Sequence, residues 1–368
     1  MLNRLKFYLK SFDWIIFSSV ILLISFGLIE IYSVALGQDA LSLLYFKKQL
    51  LFALVGIGLL FIFTFVDSYF LKSMNRHLYI LAILALVSVL VFGDTIRGTK
   101  GWFTIAGFGI QPVEFVKIAL ILFLANFFSS LATKVKTSRH FFMSVISAFF
   151  LVALVLLQPD FGSALILSSI WLVMMAAAGF HRKYFIAIFL AVVIMFTASW
   201  TLFFKEYQKQ RILTFLNPTA NSLESGYNIS QAIIAVGSGG VVGKGVGFGS
   251  QSQLKFLPEA QNDFIFSVVA EELGFLGVVL ILGFYFIFFF RCFTVLRKID
   301  NDFGIYFIIG ANGLIFIQMF INIGMNLGIM PVVGLPLPFM SYGGSSLISL
   351  LVLVGMIENI IIKSKTRY

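Results

Sequence analysis

The sequence has 368 residues, of which 60% are hydrophobic and only 11% are charged. A soluble protein of this length needs charged side chains over most of its surface, so this composition excludes an ordinary soluble fold and indicates that lipid covers much of the chain. The formal net charge is +10. Nucleic acid is not an expected partner, because no basic face with interleaved aromatic residues lies outside the apolar runs.

Ten apolar runs approach or reach the roughly 20 residues that a membrane-spanning helix needs. In chain order they are Trp14–Leu36, Gln49–Val66, Leu78–Phe92, Pro112–Ser130, Phe141–Leu157, Gly162–Phe180, Tyr184–Phe204, Phe264–Phe290, Phe303–Leu327 and Ser345–Ile362. We therefore predict an all-α polytopic membrane protein with about ten transmembrane helices, forming a single integral membrane domain over residues 1–368. The basic segment before the first run lacks a small-residue cleavage site, which favours a retained helix over a cleaved signal peptide.

The distribution of lysine and arginine predicts the orientation of these helices. One set of short connections, together with both termini, holds 16 of these residues, whereas the other set holds only Lys47, Lys48, Arg97 and Lys100. Because positive residues are retained in cytoplasmic loops, both termini are expected in the cytoplasm. The connection of about residues 205–263, between the seventh and eighth helices, is then a large extracytoplasmic loop. Its aromatic and aliphatic residues argue against disorder.

Metal and disulfide chemistry find little support in the sequence. Cys292 is the single cysteine, so no intrachain disulfide can form. The three histidines, His77, His140 and His181, border basic loops and have no second ligand at metal spacing. No protein metal site is therefore predicted.

Asp263 is the acidic residue that this topology places where lipid meets the outside water, at the start of the predicted eighth helix. On that helix Glu271 and Glu272 would lie deeper and on other faces, so the three carboxylates are not expected to form one cluster. Charges at a membrane boundary are candidates for function. Asp263 is either a general base or the N-cap of the helix, and spacing alone does not decide between them.

The predicted fourth helix opens with a charged pair at the same outer level. Pro112 suits the first helical turn, and Glu114 and Lys117 are three residues apart on one face. Their expected ion pair either locks helices together or holds Lys117 ready for a phosphate group. Asp160 interrupts two apolar runs at this level, and is either a cap of the sixth helix or a polar group lining a cavity.

Two segments of irregular composition complete the outer side. Residues 237–249 are glycine-rich, but Gly243-Lys244 lacks the following Ser or Thr of a phosphate-binding loop, so we reject a nucleotide site. The exposed backbone there suits an approach to the bilayer or to a pyrophosphate. Residues 331–346 contain three prolines and three glycines, which forbid a continuous helix. Ser341 and Ser345 are candidates for binding a polar headgroup, unless this segment is only a rigid re-entrant turn.

Taken together in chain order, these motifs resemble the SEDS (shape, elongation, division and sporulation) family, which includes RodA and FtsW. The matching segments are Phe12-Asp13-Trp14, Gln111 to Lys117, Gln158 to Gly162, Gly226-Tyr227-Asn228, Gln231-Ala232, Ala235 to Gly240, Gly243-Lys244-Gly245, Leu257-Pro258-Glu259, Asp263 to Phe266, Glu271 to Gly274 and Gly334 to Ser346. Val113 and Asn262 depart from the usual Ser and Thr of the family, but neither departure removes a charge. The short N-terminal tail is closer to RodA than to FtsW.

The resemblance implies a peptidoglycan glycosyltransferase that polymerises lipid II during cell elongation and releases undecaprenyl pyrophosphate. It implies that Asp263 is the essential aspartate, which we expect to deprotonate the 4-hydroxyl of the acceptor sugar in an inverting transfer. Lys117, Arg211 and Lys244 are the candidate cations for the departing pyrophosphate, supported by Glu114, Asp160, Ser341 and Ser345. A divalent cation such as Mg²⁺ or Mn²⁺ is compatible with this chemistry, and no organic cofactor is expected.

The resemblance also implies a class B penicillin-binding protein as partner, other membrane proteins of the elongation complex, and a place in the bacterial inner membrane with the active site facing outwards. The competing functions are a flippase or transporter for lipid-linked precursors, an FtsW-like division polymerase and a non-catalytic scaffold. A transporter is expected to carry essential charges near the middle of the bilayer. The polar groups of this chain gather at the outer face instead, which favours an enzyme.

Overall fold

The structure is a computed structural model that describes residues 10–37, 42–66, 68–96, 98–105, 107–131, 138–202, 209 and 225–365. Its helices are α1 (Trp14–Leu36), α2 (Ser42–Phe65), α3 (Ser68–Phe92), α4 (Pro112–Ser129), α5 (Ser138–Leu156), α6 (Phe161–Ala177), α7 (Arg182–Leu202), α8 (Ser225–Ser238), α9 (Ser250–Gln253), α10 (Ile265–Leu296), α11 (Asp302–Asn326) and α12 (Gly344–Lys365). Each of the ten predicted spans overlaps one of these helices, so the chain is a mostly helical polytopic membrane protein.

Eight of these helices are long and apolar enough to cross a membrane, and α6 is a shorter apolar helix. The bounds of some spans were predicted too short. The third span was expected to begin at Leu78, but α3 begins at Ser68 and takes up Lys72 and Arg76, which had been assigned to a loop. The second also begins earlier, so Lys47 and Lys48 lie on α2. Long basic side chains keep their charge in water while their stems follow the helix, so a helix can extend beyond its apolar run.

A small sheet joins α3 to α4, where the sequence had predicted only an outer connection. Strands β1 (Asp94–Ile96), β2 (Thr99–Ile105) and β3 (Phe108–Ile110) form an antiparallel sheet in the order β1-β2-β3. The register pairs Asp94 with Trp102, and Phe103 with Ile110. Gly98 and Gly107 adopt φ of +80° in the two turns, a backbone conformation that glycine adopts without strain.

The centre of the bundle is α12, in which 17 of the 22 residues are buried. It packs closely against α2, where the Cα of Gly355 approaches the carbonyl oxygen of Leu60 so tightly that an added Cβ would lie 2.4 Å from that oxygen. Asn359 then donates its side-chain amide to the carbonyl oxygens of Thr64 and Val66, at 2.7 and 2.6 Å. These contacts fix α12 as the core against which the functional loops are placed.

The bundle has two polar ends. At one, called here the site end, α4, α6, α10 and α12 begin and α3, α5 and α11 end; hydrogen bonds among the connecting loops join these helices. At the other, the basic end, α1 begins and α10 and α12 end. There Arg291 donates to Asp13 at 2.8 Å, and Lys365 donates to the carbonyl oxygen of Ser11 at 2.7 Å.

Candidate functional site

Asp263 lies in the turn that leads into α10 at the site end, and it is partly exposed. The N-cap position of α10 is occupied by Phe264, without a side-chain hydrogen bond. The alternative that Asp263 is the N-cap is therefore wrong. Its backbone carbonyl oxygen accepts hydrogen bonds from the side-chain amides of Asn322 and Asn326, at 3.0 and 2.9 Å.

A line of carboxamides on α11 holds the loops of the site end. Gln318, Asn322 and Asn326 are spaced four residues apart on one helical face, and all three are fully buried. Gln318 donates to the carbonyl oxygen of Pro336 at 3.0 Å, and Asn322 donates to that of Leu335 at 2.8 Å. These residues were not among the predicted site residues, although three amides at helical spacing within an apolar span indicate a functional face of the helix.

The segment of residues 331–343 completes the support around Asp263. Ser341 donates its hydroxyl hydrogen to the carbonyl oxygen of Asn262 and accepts a hydrogen bond from the backbone N–H of Leu337 at 2.7 Å. The backbone N–H of Tyr342 donates to the carbonyl oxygen of Gln261 at 2.8 Å. Ser341 therefore positions the loop that carries Asp263, because its hydroxyl hydrogen-bonds backbone groups of residues 262 and 337.

Gly334 keeps space open beside the Asp263 carboxylate. Its φ is +70°, a backbone conformation that residues other than glycine rarely adopt. An added Cβ would lie 3.7 Å from Oδ2 of Asp263. The flank of the carboxylate is thus bare backbone. A group that approaches Asp263 from this side meets no side chain from position 334.

Asp160 and Ser345 belong to a second network at the site end. Asp160 is the N-cap of α6, where its Oδ1 accepts from the backbone N–H of Ser163 at 2.9 Å, so the capping interpretation is confirmed. Its Oδ2 accepts from the side-chain amide of Gln111 at 3.2 Å, and the backbone N–H of Gln111 donates to Ser345 Oγ at 3.0 Å. Since Gly162 packs against the carbonyl of Val333, this network adjoins the segment beside Asp263.

Glu114 and Lys117 form the predicted ion pair, with 2.8 Å between Lys117 Nζ and Glu114 Oε1. Both side chains are buried, at 5% and 1% exposure. Lys117 lies six residues into α4 from Gln111, or about 9 Å along the helix axis. The pair therefore lies beneath the Gln111 network, with its charges enclosed by protein.

The glycine-rich segment meets a break in α10 at Gly274, whose φ is +67°. The backbone N–H groups of Lys244 and Gly245 donate to the carbonyl oxygens of Glu271 and Glu272, at 3.0 and 2.9 Å. In return, the carbonyl oxygens of Gly240 and Val241 accept from Phe275 and Leu276, at 3.0 and 3.1 Å. The segment thus supplies the hydrogen bonds that the break removes from the helix, and α10 is not the continuous helix that was expected.

The side chain of Lys244 is engaged at this junction. Its Nζ lies 2.8 Å from Oε1 of Glu271 and donates to Ser250 Oγ at 3.0 Å, although the side chain stays 30% exposed. Glu272 has different partners: it accepts from Ser33 on α1 and from the backbone N–H of Gly247. Glu271 and Glu272 nevertheless meet beside Gly249, where an added Cβ would lie 2.9 Å from Oε2 of Glu271 and 3.0 Å from Oε1 of Glu272. Asp263 has other partners, so the three carboxylates do not form one cluster, as expected.

Two further predictions concern Arg211 and a metal ion. Arg211 lies outside the described residues. Within the ranges that the structure describes, no group of three or more His, Cys, Asp or Glu side chains is arranged to hold a metal ion.

The fold and this site define a polytopic membrane protein that carries an acidic residue in a hydrogen-bonded loop at one end of its helical bundle. A family model described as "Cell cycle protein", for FtsW, RodA and SpoVE, matches residues 13–366. The chain therefore belongs to the FtsW/RodA/SpoVE family, which confirms the resemblance found in its motifs.

Similar proteins and solved structures agree with this assignment. The chain is 34% identical to a probable peptidoglycan glycosyltransferase FtsW from Trichlorobacter lovleyi, over 97% of this chain and 95% of that protein. It matches a chain from a structure of a peptidoglycan synthase complex described as coordinating polymerization and crosslinking, with a TM-score of 0.81, 30% identity and 97% and 98% coverage of the two chains. The rod-shape-determining protein RodA of Thermus thermophilus matches with a TM-score of 0.72 and 27% identity, again covering 97% and 98%.

Replacement of Asn326 by leucine tests the amide support of Asp263. The change removes the donor to the Asp263 carbonyl and the acceptor of Ser267, and unpaired buried polar groups cost about 1–3 kcal/mol each. We expect the catalytic activity of Asn326→Leu to fall at least tenfold, while the protein stays folded with a lowered melting temperature.

Asn312→Leu is the matched control, because Asn312 lies on the same helix but its side chain contacts the carbonyl oxygen of Ile308, one turn away, and Cys292, not the loop of Asp263. It is expected to retain activity. Equal activity of the two variants would show that the amide line does not position Asp263.

Proposed function

We propose that this protein is a peptidoglycan glycosyltransferase that polymerises lipid II into glycan strands and releases undecaprenyl pyrophosphate. The observation that carries the proposal is a partly exposed carboxylate, Asp263, on a loop whose backbone is held by buried amides and by residues 331–343. Family membership and relatives named peptidoglycan glycosyltransferase support the same reaction.

In the proposed reaction Asp263 is the general base. Its carboxylate takes the proton from the 4-hydroxyl of the acceptor sugar, and the resulting oxygen attacks the anomeric carbon of the donor strand. The bond from that carbon to the pyrophosphate breaks with inversion, and the electron pair leaves with undecaprenyl pyrophosphate. A base positioned in this way typically contributes a factor of about 100 to 10,000 to the rate.

The arrangement around Asp263 suits this role for two reasons. Its backbone position is fixed by Asn322 and Asn326, so the carboxylate needs little reorganisation before it accepts a proton. Because position 334 is a glycine, no side chain from that position lies against Oδ2 of Asp263, where we propose that the sugar approaches.

Replacement of Asp263 by asparagine tests the general base in purified protein supplied with labelled lipid II. The amide keeps the size of the side chain but cannot accept the proton, so glycan chains should form at least 100-fold more slowly. Asp302→Asn, an exposed acidic residue at the basic end, serves as the control and should polymerise normally.

Two outcomes oppose the proposal. Normal polymerisation by Asp263→Asn excludes Asp263 as the base. Movement of lipid II across the bilayer by the wild-type protein, without any polymer, favours the alternative function of a flippase.

We propose that Lys117 stabilises the departing pyrophosphate, with Glu114 holding its ammonium group in place beforehand. A fixed positive charge near developing negative charge is the largest single contribution in many transfer reactions. The competing interpretation is that the pair only locks helices together. The buried contact of 2.8 Å fits both, so the roles must be separated by double replacement.

The single variant Lys117→Met leaves the Glu114 carboxylate buried and unpaired, which costs about 3–5 kcal/mol. The double variant Glu114→Leu/Lys117→Met replaces the pair by apolar groups and should regain most of the lost melting temperature. We expect the double variant to be folded yet at least 100-fold less active with lipid II. Restored polymerisation in the folded double variant would assign the pair to structure alone.

The orientation that we propose follows from the two polar ends. The basic end collects lysine and arginine residues from α10 and α12, as cytoplasmic surfaces do, and the site end then faces outwards. We therefore propose that the protein lies in the bacterial inner membrane, with Asp263 on the side where peptidoglycan is built. We also propose that a divalent cation helps to stabilise the departing pyrophosphate. It would enter from the same side.

We infer an elongation role and a class B penicillin-binding protein as partner. The Phe12-Asp13-Trp14 motif supports the RodA-like role, and the match to a complex that coordinates polymerization and crosslinking supports such a partner. The decisive experiment co-expresses the chain with the elongation-type and division-type penicillin-binding proteins of the same genome. We expect the elongation-type protein to co-purify in excess; a preference for the division-type protein would instead assign an FtsW-like role.

A further inference from the structure

The basic end contains a pocket that plays no part in the proposed transfer. It has a volume of about 130 Å³ and lies between the ends of α10 and α12. Its lining residues are Arg291, Thr294, Val295, Lys298, Ser364 and Lys365. The lining therefore offers three cationic side chains and two hydroxyl groups, and no carboxylate.

Two of the cations are held in place by other parts of the chain. Arg291 uses its Nε to contact both carboxylate oxygens of Asp13, at 3.0 and 2.8 Å, which orients the guanidinium group. Lys365 donates to the backbone carbonyl of Ser11, which leaves its charge uncompensated by that contact. Asp13 contacts Arg291, and the Glu358 carboxyl interacts electrostatically with Arg291 and Lys365, so the three cations still outnumber these two acidic groups.

The pocket borders a surface that is suited to hydrocarbon. Phe286, Phe290 and Phe293 project from α10 with 67%, 60% and 56% exposure. Thr294 lines the pocket and is one helical turn from Phe290, to whose carbonyl oxygen its hydroxyl donates at 2.8 Å. A ligand in the pocket would thus have positive charge around its head and exposed apolar surface beside it.

We propose that this pocket binds the phosphate group of an anionic phospholipid, whose acyl chains lie along the Phe286–Phe293 surface. Arginine, lysine and hydroxyl groups are the usual partners of phosphate oxygens, and basic pockets at the ends of membrane helices bind anionic headgroups. A single water needs about 10–15 Å³ of such a cavity, so this one has room for a phosphate group.

The size and the neighbouring surface favour lipid over a soluble anion. A free phosphate would gain the same contacts with Arg291, Lys298 and Lys365, but nothing from the aromatic surface. Because the bilayer also presents its headgroups at a high local concentration, the lipid has the advantage at this end of the bundle.

The test measures binding of palmitoyl-oleoyl phosphatidylglycerol to the full-length protein in detergent, by native mass spectrometry and by the lipid-dependent rise in melting temperature. Phosphatidylcholine is the reference lipid. Lys298→Gln removes one lining cation, and a charge of this kind contributes about 1 kcal/mol at a membrane surface, which corresponds to about fivefold weaker binding. Lys298 is exposed, so this replacement should not disturb folding.

Lys183→Gln is the matched control, since Lys183 is also an exposed lysine at the basic end, where α7 begins, but lies over the Tyr184 ring and does not line the pocket. It should bind phosphatidylglycerol like the wild type. Equal weakening by both variants would reduce the pocket to a general basic surface and overturn the proposal. Inorganic phosphate that displaces the lipid or raises the melting temperature equally would overturn the assignment to a phospholipid.

Discussion

The backbone that carries Asp263 lies outside regular secondary structure at the edge of a membrane-spanning bundle, so its polar groups need partners within the protein. Buried side-chain amides on α11 provide them. Asn322 donates to both the Asp263 carbonyl and the Leu335 carbonyl, and Asn326 donates to Asp263 while accepting from Ser267. One helix face therefore fixes the loop before α10 and the proline-rich loop before α12 relative to each other. Every other feature of the site depends on this junction.

The two ends of the bundle deal with charge in different ways. At the site end, two cations are paired with carboxylates, Lys117 with Glu114 and Lys244 with Glu271, while Lys48 and Lys100 donate to backbone carbonyl oxygens. At the basic end, three cations converge on a pocket whose lining holds no carboxylate, although Asp13 contacts Arg291, and Glu358 interacts electrostatically with Arg291 and Lys365. Charges paired in advance suit a site that must bind and release its substrate, whereas an excess of one sign suits a lasting contact with an anionic surface.

Much of the architecture was predictable, because long apolar runs and charged motifs are local signals. The positions of ten helices and the contact of Glu114 with Lys117 follow from spacing alone, whereas spacing left the role of Asp160 open until the structure showed that it caps α6. The small sheet before α4 was not predicted because its strands are short. In this segment only the turns, with Gly98 and Gly107, have a recognisable sequence pattern. The break at Gly274 was missed for a different reason. Its hydrogen-bonding partners come from residues 240–245, and no local pattern reveals that pairing.

The junction at Gly274 has a mechanical consequence. Because backbone groups make the connection, residues 240–245 and the first nine residues of α10 behave as one stiff unit, with Asp263 at its outer tip. Val241 and Val242 are 64% and 73% exposed on the same segment. A partner that displaces these valines therefore acts on the Asp263 carboxylate through hydrogen-bonded backbone and not through flexible side chains. Residues 240–245 therefore tolerate a change of valine more readily than a change of Gly243. A Cβ added at Gly243 would lie 2.2 Å from the carbonyl oxygen of Glu272.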